Sequence, residues 1–393
     1  MKKIIFELFI IFIVTGSVFS QWVNINNGIG NKEVYSLSSA GYILFAGTFN
    51  YGLYLSTDNG LNWSPAGTGL YNRIVYALTN FGGYLYAATD LGVWRSSNNG
   101  TYWSVTSINN VSVYSLASNQ TRVFCGLHLS GLYYSYGGTG WYVSSLNATN
   151  IRAITVCDTM VLAGSANGTG VYKSVNNGNN WVSTSLNNKS VYSLAIDGNR
   201  AYAGTGSGIY RSIDSGSSWL QTTVNNELIY SLAIYGNNVF AGSETNGVYF
   251  SSNNGVNWVL INDGLGNITV YTLFIFNGYI YAGTSFNAVY RRPLSEVVNI
   301  SHKEILHSLS VSQNFPNPFN TVTKISLEIK EPSVVSLTIY DMCGKEVQSL
   351  FRGVQPSGKH YISIDGSELA SGVYFYKIKV GQRSVIGKMV LMK

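Results

Sequence analysis

A repeat of about forty residues constrains the fold of this chain more than any other feature. Seven strand-like segments, of which VYSL is typical, begin at Val34, Val75, Val113, Ile151, Val191, Ile229 and Val270. Their spacings are 41, 38, 38, 40, 38 and 41 residues. Each start is followed by a Gly/Asn-rich turn, a second strand such as YAGT, a third such as GVYKS and, in six repeats, a fourth led by Trp. Four short strands per ~40 residues make one propeller blade, so the sequence predicts seven blades.

The seventh repeat lacks its tryptophan strand, and the missing piece lies at the front of the repeat region. Residues 21–37 (QWVNINNGIGNKEVYSL) align with residues 257–273 (NWVLINDGLGNITVYTL). We therefore expect residues 21–26 to supply the outer strand of the last blade and to close a propeller over 21–292. A closed ring hides the sheet edges that an open array would expose.

A second pattern, S-x-D/N-x-G-x-x-W, lies between the third and fourth strands. Its two complete copies consist of Ser56, Asp58, Gly60 and Trp63, and of Ser212, Asp214, Gly216 and Trp219. Asn replaces Asp in the copies at 96–103, 174–181 and 251–258, and the copy at 135–141 is one residue short. A carboxylate or amide can accept backbone N–H bonds of its own turn, Gly supplies the positive φ, and the indole covers the turn. The predicted role of these residues is structural.

This pattern resembles the Asp-box (BNR) repeat of sialidase-like, xyloglucanase-like and sortilin-type propellers. The resemblance covers residues 21–292 and implies the propeller fold, whereas it says little about activity. Sialidases also carry an Arg-Ile-Pro motif and an arginine triad that binds the substrate carboxylate. No Arg-Ile-Pro tripeptide occurs in this sequence. The resemblance therefore gives no support to sialidase activity.

The forty-residue period stops after Pro293. Residues 293–307 are interpreted as a linker. Residues 308–393 hold seven strand-like stretches with alternating patterns such as Ile325-Ser-Leu327-Glu-Ile329. Short alternating strands in that number predict a small immunoglobulin-like β-sandwich. The predicted fold class is therefore all-β, a seven-bladed β-propeller followed by this sandwich.

Three motifs and a basic end follow one another in residues 308–393. They contain Pro316, Asn317 and Pro318 in NFPNPF, Tyr340, Asp341, Gly344 and Lys345 in IYDMCGKEV, Gly372 and Tyr374 in LASGVY, and Lys388 near the end. The segment resembles the C-terminal sorting domain of cargo exported by the type IX secretion system. The resemblance implies recognition by that machinery at the outer membrane, cleavage near the domain, and release or attachment to surface polysaccharide.

The first twenty residues have the pattern of an export signal. Lys2 and Lys3 precede an apolar run from Leu8 to Val14, and Ser20 suits the small-residue rule for cleavage before Gln21. Seven apolar residues are too few to span a bilayer, which takes ~20 residues per helix. We therefore expect a signal peptide over 1–20, no transmembrane span, and a protein that is secreted or held at the outer cell surface.

Charge and cysteine content argue against a nucleic-acid-binding protein and against a disulfide-stabilised fold. Residues 21–300 carry eleven Lys/Arg against ten Asp/Glu, although the whole chain has a net charge of +6. A nearly neutral body has no basic stripe for phosphates, so we expect no nucleic-acid partner. Cys125, Cys157 and Cys343 are an odd number without a CxxC motif, so they form no disulfide framework. The sequence alone does not decide whether Cys125 and Cys157 form a single disulfide.

Catalytic and metal-binding residues are scarce in the repeat region. Glycoside hydrolysis needs two facing carboxyl groups, and Asp90 and Glu244 are the weak candidates for such a pair. His128 is the only histidine of the region, too few for a His-based metal site. We predict neither a metal nor a cofactor.

The loops between second and third strands, together with those between blades, usually form the ligand-binding face of a propeller. Here they carry the candidate ligand-binding residues Tyr51, Asp90, His128, Glu244 and Phe286, with Arg73 between blades. Amides and aromatic rings suit sugars or a protein epitope. The favoured hypothesis is a monomeric, non-catalytic module that binds an extracellular glycan or protein. The alternative is a polysaccharide-active glycoside hydrolase of the Asp-box propeller type, and the sorting domain argues against a third possibility, an assembly factor inside the envelope.

Overall fold

The computed structural model describes residues 21–138, 140–147, 149–297, 310–329, 332–342, 344–380 and 383–393. The chain divides between Val298 and Asn299 into two compact units, each of which is described by itself. The predicted signal peptide, Cys343 and most of the predicted linker lie outside the described residues.

The first unit consists of seven four-stranded antiparallel sheets. Their first strands are β2 (Val34–Ala40), β6 (Val75–Phe81), β10 (Val113–Ser118), β14 (Ile151–Cys157), β18 (Val191–Asp197), β22 (Ile229–Tyr235) and β26 (Val270–Phe276). The second strands are β3 (Ile43–Thr48), β7 (Tyr84–Thr89), β11 (Val123–Leu127), β15 (Met160–Ser165), β19 (Arg200–Thr205), β23 (Asn238–Ser243) and β27 (Tyr279–Thr284). The third strands are β4 (Leu53–Ser56), β8 (Gly92–Ser96), β12 (Gly131–Ser135), β16 (Gly170–Ser174), β20 (Gly208–Ser212), β24 (Val248–Ser251) and β28 (Val289–Pro293). The fourth are β5 (Ser64–Ala66), β9 (Ser104–Asn109), β13 (Tyr142–Val143), β17 (Val182–Ser183), β21 (Leu220–Asn225), β25 (Val259–Leu260) and β1 (Val23–Asn24).

The seven sheets form a closed ring. The first strands contact one another in succession from β2 to β26, and β26 contacts β2 in turn. β1 pairs antiparallel with β28, with Val23 opposite Arg291 and Asn24 opposite Tyr290, and completes the seventh sheet. Trp22 is 2% exposed, and its indole N–H donates to the Ile261 carbonyl at 2.6 Å. The predicted seven-bladed β-propeller is confirmed.

Glycines in the second strands allow adjacent blades to pack closely. A Cβ added to Gly204 would lie 2.7 Å from Ile229 Cγ2, and one added to Gly283 would lie 2.7 Å from Val34 Cγ1. In both cases the neighbour is the first residue of the next blade's first strand. A side chain at either glycine would therefore displace the adjoining blade.

The first unit continues beyond the boundary that the sequence suggested. Pro293 ends β28, and residues 294–297 form a short helical segment. Leu294 and Val297 are buried in the same cluster as Trp22, so they belong to the core of the last blade. The predicted linker at 293–307 therefore begins with residues that pack on the propeller, because its two aliphatic side chains gain by burial.

The second unit is a β-sandwich of two antiparallel sheets. Its strands are β29 (Ser310–Val311), β30 (Val322–Ile329), β31 (Ser333–Tyr340), β32 (Glu346–Gln355), β33 (Gly358–Asp365), β34 (Gly372–Val380) and β35 (Arg383–Leu391). They pair in the orders β29-β30-β33 and β32-β31-β34-β35. Ile325, Ile364, Leu337 and Ile378 come from both sheets and meet in one core. The all-β fold class is thus confirmed for both units.

Two absences apply to the described residues alone. No helix among them is long and apolar enough to cross a membrane. Cys125 is buried, Cys157 is partly exposed, and both are free thiols.

Candidate functional site

The centre of the propeller is lined by one residue from each blade. The first residue of every first strand is buried between blades, so the second, which alternates with it, faces the centre. These second residues line one cavity of about 190 Å³. We call them the tyrosine ring, which consists of Tyr35, Tyr76, Tyr114, Arg152, Tyr192, Tyr230 and Tyr271.

Each member of the tyrosine ring contacts both of its neighbours. The Tyr35 and Tyr271 rings stack with centroids 4.4 Å apart. The Arg152 guanidinium lies 4.9 Å from the centre of the Tyr114 ring and 5.6 Å from that of Tyr192. The remaining neighbours meet edge to face, with centroids 5.0–6.2 Å apart. Such contacts hold the side chains in place before any ligand arrives.

Four phenols of the tyrosine ring have raised pKa values, and the ring contains one arginine. Burial, followed by the Glu244 carboxylate, raises the pKa of Tyr230 to about 12. Burial is also the main cause that raises the pKa of Tyr35, Tyr76 and Tyr271 above the usual value. Arg152 contributes the positively charged guanidinium of an arginine. The wall of the cavity therefore presents hydroxyl groups and a single cationic side chain.

A second tier of residues lies directly above the tyrosine ring. In each blade the residue after the second strand donates its amide to the carbonyl of the residue before the first strand, at 2.9–3.3 Å. We call this tier the collar, which consists of Phe49, Asp90, His128, Ala166, Gly206, Glu244 and Ser285. The repeated hydrogen bond fixes the backbone at these positions, whereas the side chains differ from blade to blade.

Several collar side chains contact the tyrosine ring. His128 Nδ1 lies 3.4 Å from the Tyr114 hydroxyl, and the Tyr230 hydroxyl donates to Glu244 Oε1 at 3.2 Å. The Phe49 ring lies 5.7 Å from that of Tyr35. In blades four and five the collar residues are Ala and Gly, which have no side chain long enough to cover the ring.

The loop residues that the sequence singled out divide into two groups. Asp90 accepts the Ile74 amide at 3.3 Å and pairs with Arg73 at 3.9 Å, so both are engaged within the chain. Asp90, His128 and Glu244 all belong to the collar. Tyr51 and Phe286 are 57% and 67% exposed on loops of the same face.

Asp90 and Glu244 lie beside different members of the tyrosine ring. Asp90 acts electrostatically on Tyr76, whereas Glu244 is bonded to Tyr230. On the shorter way round, Tyr35 and Tyr271 separate these two tyrosines. Among the described residues, no group of three or more His, Cys, Asp and Glu side chains could hold a metal ion.

The residues of the tyrosine ring are not among the candidates that the sequence predicted. Its signal was the second letter of each repeat start, Tyr in six copies and Arg in Ile151-Arg152-Ala153-Ile154. In a strand, a Tyr beside a buried Val fits ordinary alternation. Only the convergence of seven first strands shows that these residues share one cavity.

The box turns lie at the opposite end of the blades, and their polar side chains are hydrogen-bonded within the turn. Asp58 Oδ1 accepts the Ser56 hydroxyl at 2.7 Å and the Asn62 amide at 2.9 Å. Gly60 has a φ of 82° and donates its amide to the Ser56 hydroxyl at 2.8 Å. Trp63 is 3% exposed and donates to the Ile25 carbonyl at 2.8 Å.

The box turns at 96–103, 174–181, 212–219 and 251–258 repeat this geometry with either acid or amide, whereas the shortened copy at 135–141 has neither. Asp214 accepts the Ser212 hydroxyl and the Ser218 amide, at 2.7 and 2.9 Å, and the Trp219 indole donates to Gly216 at 3.0 Å. Hydrogen bonds from Ser218, the largest influence, hold the pKa of Asp214 well below its usual range. Asn176 accepts the corresponding amide at 3.0 Å, which explains why Asn can replace Asp.

In the second unit the motif residues build turns. The Asn317 side-chain oxygen accepts the Val390 amide at 2.8 Å, and the peptide bonds before Pro316 and Pro318 are cis. Asp341 accepts the Lys345 amide at 2.9 Å. The Tyr374 hydroxyl donates to the Ala370 carbonyl at 2.9 Å.

Two family models match parts of the chain. Residues 313–392 match the secretion system C-terminal sorting domain, and residues 139–269 match the DUF6242 beta propeller domain. The chain is a β-propeller with a C-terminal sorting domain. This sorting domain indicates type IX export to the cell surface or the medium. A search of the curated proteins finds no match.

Solved structures similar to this chain are also propellers. YCF48 from Cyanidioschyzon merolae has a TM-score of 0.57 at 12% identity, over 70% of this chain and 99% of that one. YCF48 bound to D1 peptide has a TM-score of 0.55 at 13% identity, over 70% and 95%. The extracellular domain of a B. thetaiotaomicron one-component system has a TM-score of 0.57 at 14% identity, over 95% of this chain and 59% of that one. Identities this low establish the fold alone.

Proposed function

We propose that this protein is an exported, non-catalytic binding module whose ligand, a glycan or a protein, enters the propeller at the tyrosine ring. The observation that carries the proposal is the closed ring of six tyrosines and one arginine around a cavity of about 190 Å³. Concave sites with convergent polar groups on a rigid scaffold are where ligands usually bind.

The loops around the collar carry exposed aromatic and aliphatic side chains, those of Tyr51, Tyr71, Leu129 and Phe286. Aromatic groups at the rim and hydroxyl groups at the centre suit a ligand that lies across the face and inserts one group. YCF48 has been solved with a bound peptide, so a propeller of this fold can serve recognition.

A non-catalytic role is favoured over glycoside hydrolysis because the two candidate acids have separate partners. Asp90 is paired with Arg73, and Glu244 accepts the Tyr230 hydroxyl. A hydrolase needs one acid to protonate the leaving group while the other faces the same sugar. Export is proposed to begin with the signal peptide at 1–20 and to end with removal of the sorting domain after the propeller.

Glycan and peptide arrays with the purified chain, run beside a hydrolysis screen on polysaccharides, test this proposal. We expect binding without turnover, and loss of binding in the double variant Tyr230→Ala/Tyr271→Ala. The control is Tyr42→Ala, because Tyr42 is 89% exposed in the turn at the other end of β2. Equal binding by the parent and by Tyr230→Ala/Tyr271→Ala contradicts the proposed site. Turnover that Asp90→Asn or Glu244→Gln abolishes establishes the hydrolase instead.

A further inference from the structure

Arg152 is the one member of the tyrosine ring that breaks the tyrosine pattern. Its guanidinium packs over Tyr114 and Tyr192. Within the described residues it has no hydrogen-bond or salt-bridge partner, although a guanidinium carries five N–H donors. By contrast, Arg73 and Arg200 in the same unit each pair with an aspartate. Arg152 therefore brings an uncompensated positive charge to the wall of the cavity.

The collar leaves this charge accessible from the loop face. Ala166 follows the second strand of the blade that carries Arg152, and Gly206 holds the same position in the next blade. A Cβ added to Gly206 would come no closer than 3.7 Å to Tyr192, so open space lies above this arc. The bulky collar residues Phe49 and His128 stand over other members of the ring.

The acids of this face lie on the other blades. Glu33 is next to Tyr35, Glu244 accepts the Tyr230 hydroxyl, and Asp90 is paired with Arg73. The cavity is therefore cationic at blade four and rich in hydrogen-bond acceptors on the arc from blade six to blade two. A ligand that suits it places an anionic group at Arg152 and hydroxyl groups toward the remaining wall.

The volume of the cavity and the chemistry of its lining residues further restrict the class of ligand. A cavity of about 190 Å³ holds about six water molecules, so it accepts one sugar ring or one chain end, not a whole polymer. Apart from Arg152, every lining residue is a tyrosine. Tyr35, Tyr114 and Tyr230 already have partners for their hydroxyls within the chain, whereas the Tyr76 and Tyr192 hydroxyls have none among the described residues. An apolar peptide side chain in this space would leave those two hydroxyls without a partner, whereas the hydroxyls of a sugar can pair with them.

We infer that the tyrosine ring binds a carboxylate-bearing sugar residue, a hexuronate of an acidic polysaccharide, with its carboxylate on the Arg152 guanidinium and its hydroxyls on the ring phenols. The guanidinium fork matches the two oxygens of a carboxylate. Aromatic side chains can pack on the C–H face of the sugar. This inference rests on the proposed binding function and names its ligand class.

Calorimetric titration of the purified chain tests the inference with a short oligogalacturonate, neutral galactotriose, and a peptide with a free carboxyl terminus beside its amide. The decisive variant is Arg152→Tyr, which gives blade four the residue that the other six blades carry and so preserves packing. Arg95→Gln is the control, since Arg95 lies over Tyr84 at the box-turn end of the blade. Thermal unfolding of each variant verifies the fold.

We expect the oligogalacturonate to bind the parent and Arg95→Gln with equal affinity and to bind Arg152→Tyr at least tenfold more weakly. Galactotriose should bind the parent more weakly than the oligogalacturonate does. Equal affinity of the parent and Arg152→Tyr for the oligogalacturonate overturns the inference. The inference is also overturned if the neutral sugar or the peptide binds more tightly than the oligogalacturonate and that binding is lost in Tyr230→Ala/Tyr271→Ala. In that case the proposed binding function still holds. Absence of binding to every ligand of the arrays and this titration overturns both.

Discussion

The box turns and Arg152 lie at opposite ends of the blades and differ in whether their polar groups have partners within the chain. At the box turns, Asp58 has partners for both carboxylate oxygens within its own turn, from Ser56 and Asn62. At the tyrosine ring, Arg152 has aromatic neighbours alone among the described residues, and its donors face a cavity. Groups satisfied inside the chain stabilise it, whereas groups left without a partner in a concave site are free to bind a ligand.

The difference also shows in how each end tolerates variation between blades. Asp214 in one turn and Asn176 in another occupy the same position and accept the equivalent backbone amide. Replacing tyrosine by Arg152 in the ring introduces a charge that no other blade has. Features that recur in most blades therefore maintain the fold, whereas Arg152, which occurs in one blade, places a charge on one side of the cavity.

The largest effect is expected at Trp22, which lies directly before the strand that closes the ring. Trp22→Ala removes a buried indole and its hydrogen bond to Ile261, so it should lower the free energy of unfolding by about 3–5 kcal/mol. Urea denaturation measures this. Trp141→Ala is the matched control, because Trp141 is only partly buried and its indole N–H has no partner. Equal losses for the two variants would contradict the special role of the closing strand.

A smaller effect is expected within a single box turn. Asp214→Ala removes the acceptor for Ser212 and Ser218 and should cost about 1–2 kcal/mol, since the freed amide is exposed to water. Asp214→Asn should cost less than about 1 kcal/mol because asparagine accepts the same bonds in other turns. Urea midpoints of the two variants give the comparison. If Asn proves as costly as Ala, charge rather than hydrogen-bond geometry holds the turn.

The same carboxylate predicts a pH dependence. Its pKa is lowered in the folded state by hydrogen bonds from Ser218, so it stabilises the fold above the unfolded pKa of about 3.9. That contribution is lost as pH falls below about 4 toward the lowered folded pKa. The stability difference between the parent and Asp214→Asn should therefore be constant near pH 6 and shrink below pH 4. A difference that grows on acidification would be inconsistent with the lowered pKa.

The smallest effect on stability is expected in the tyrosine ring. Tyr230→Phe removes one hydroxyl that donates to the exposed Glu244, so the free energy of unfolding should change by less than about 1 kcal/mol. Thermal unfolding measures the stability change, and titration with the ring ligand measures the loss of affinity. A loss of several kcal/mol without a change in affinity would make the ring a structural element like the box turns.

Part of this architecture follows from local sequence. The box turns bond residues two to four positions apart, as in Ser56 with Asp58 and Asp58 with Asn62, so a short pattern specifies them. The glycines of the second strands, such as Gly204, mark close packing in the same way. The placement of Asp90, His128 and Glu244 on one face followed from their common position after the second strand.

The number of blades, the box turns and the role of residues 21–26 in the last sheet could be inferred from the repeat, because the repeat gives the strand order and the shared segment shows where the array closes. The stacking of Tyr35 on Tyr271 and the position of Arg152 in the same cavity became visible in the folded chain alone. Those contacts arise where seven twisted sheets converge on one axis, and the sequence separation of the residues carries no information about that distance.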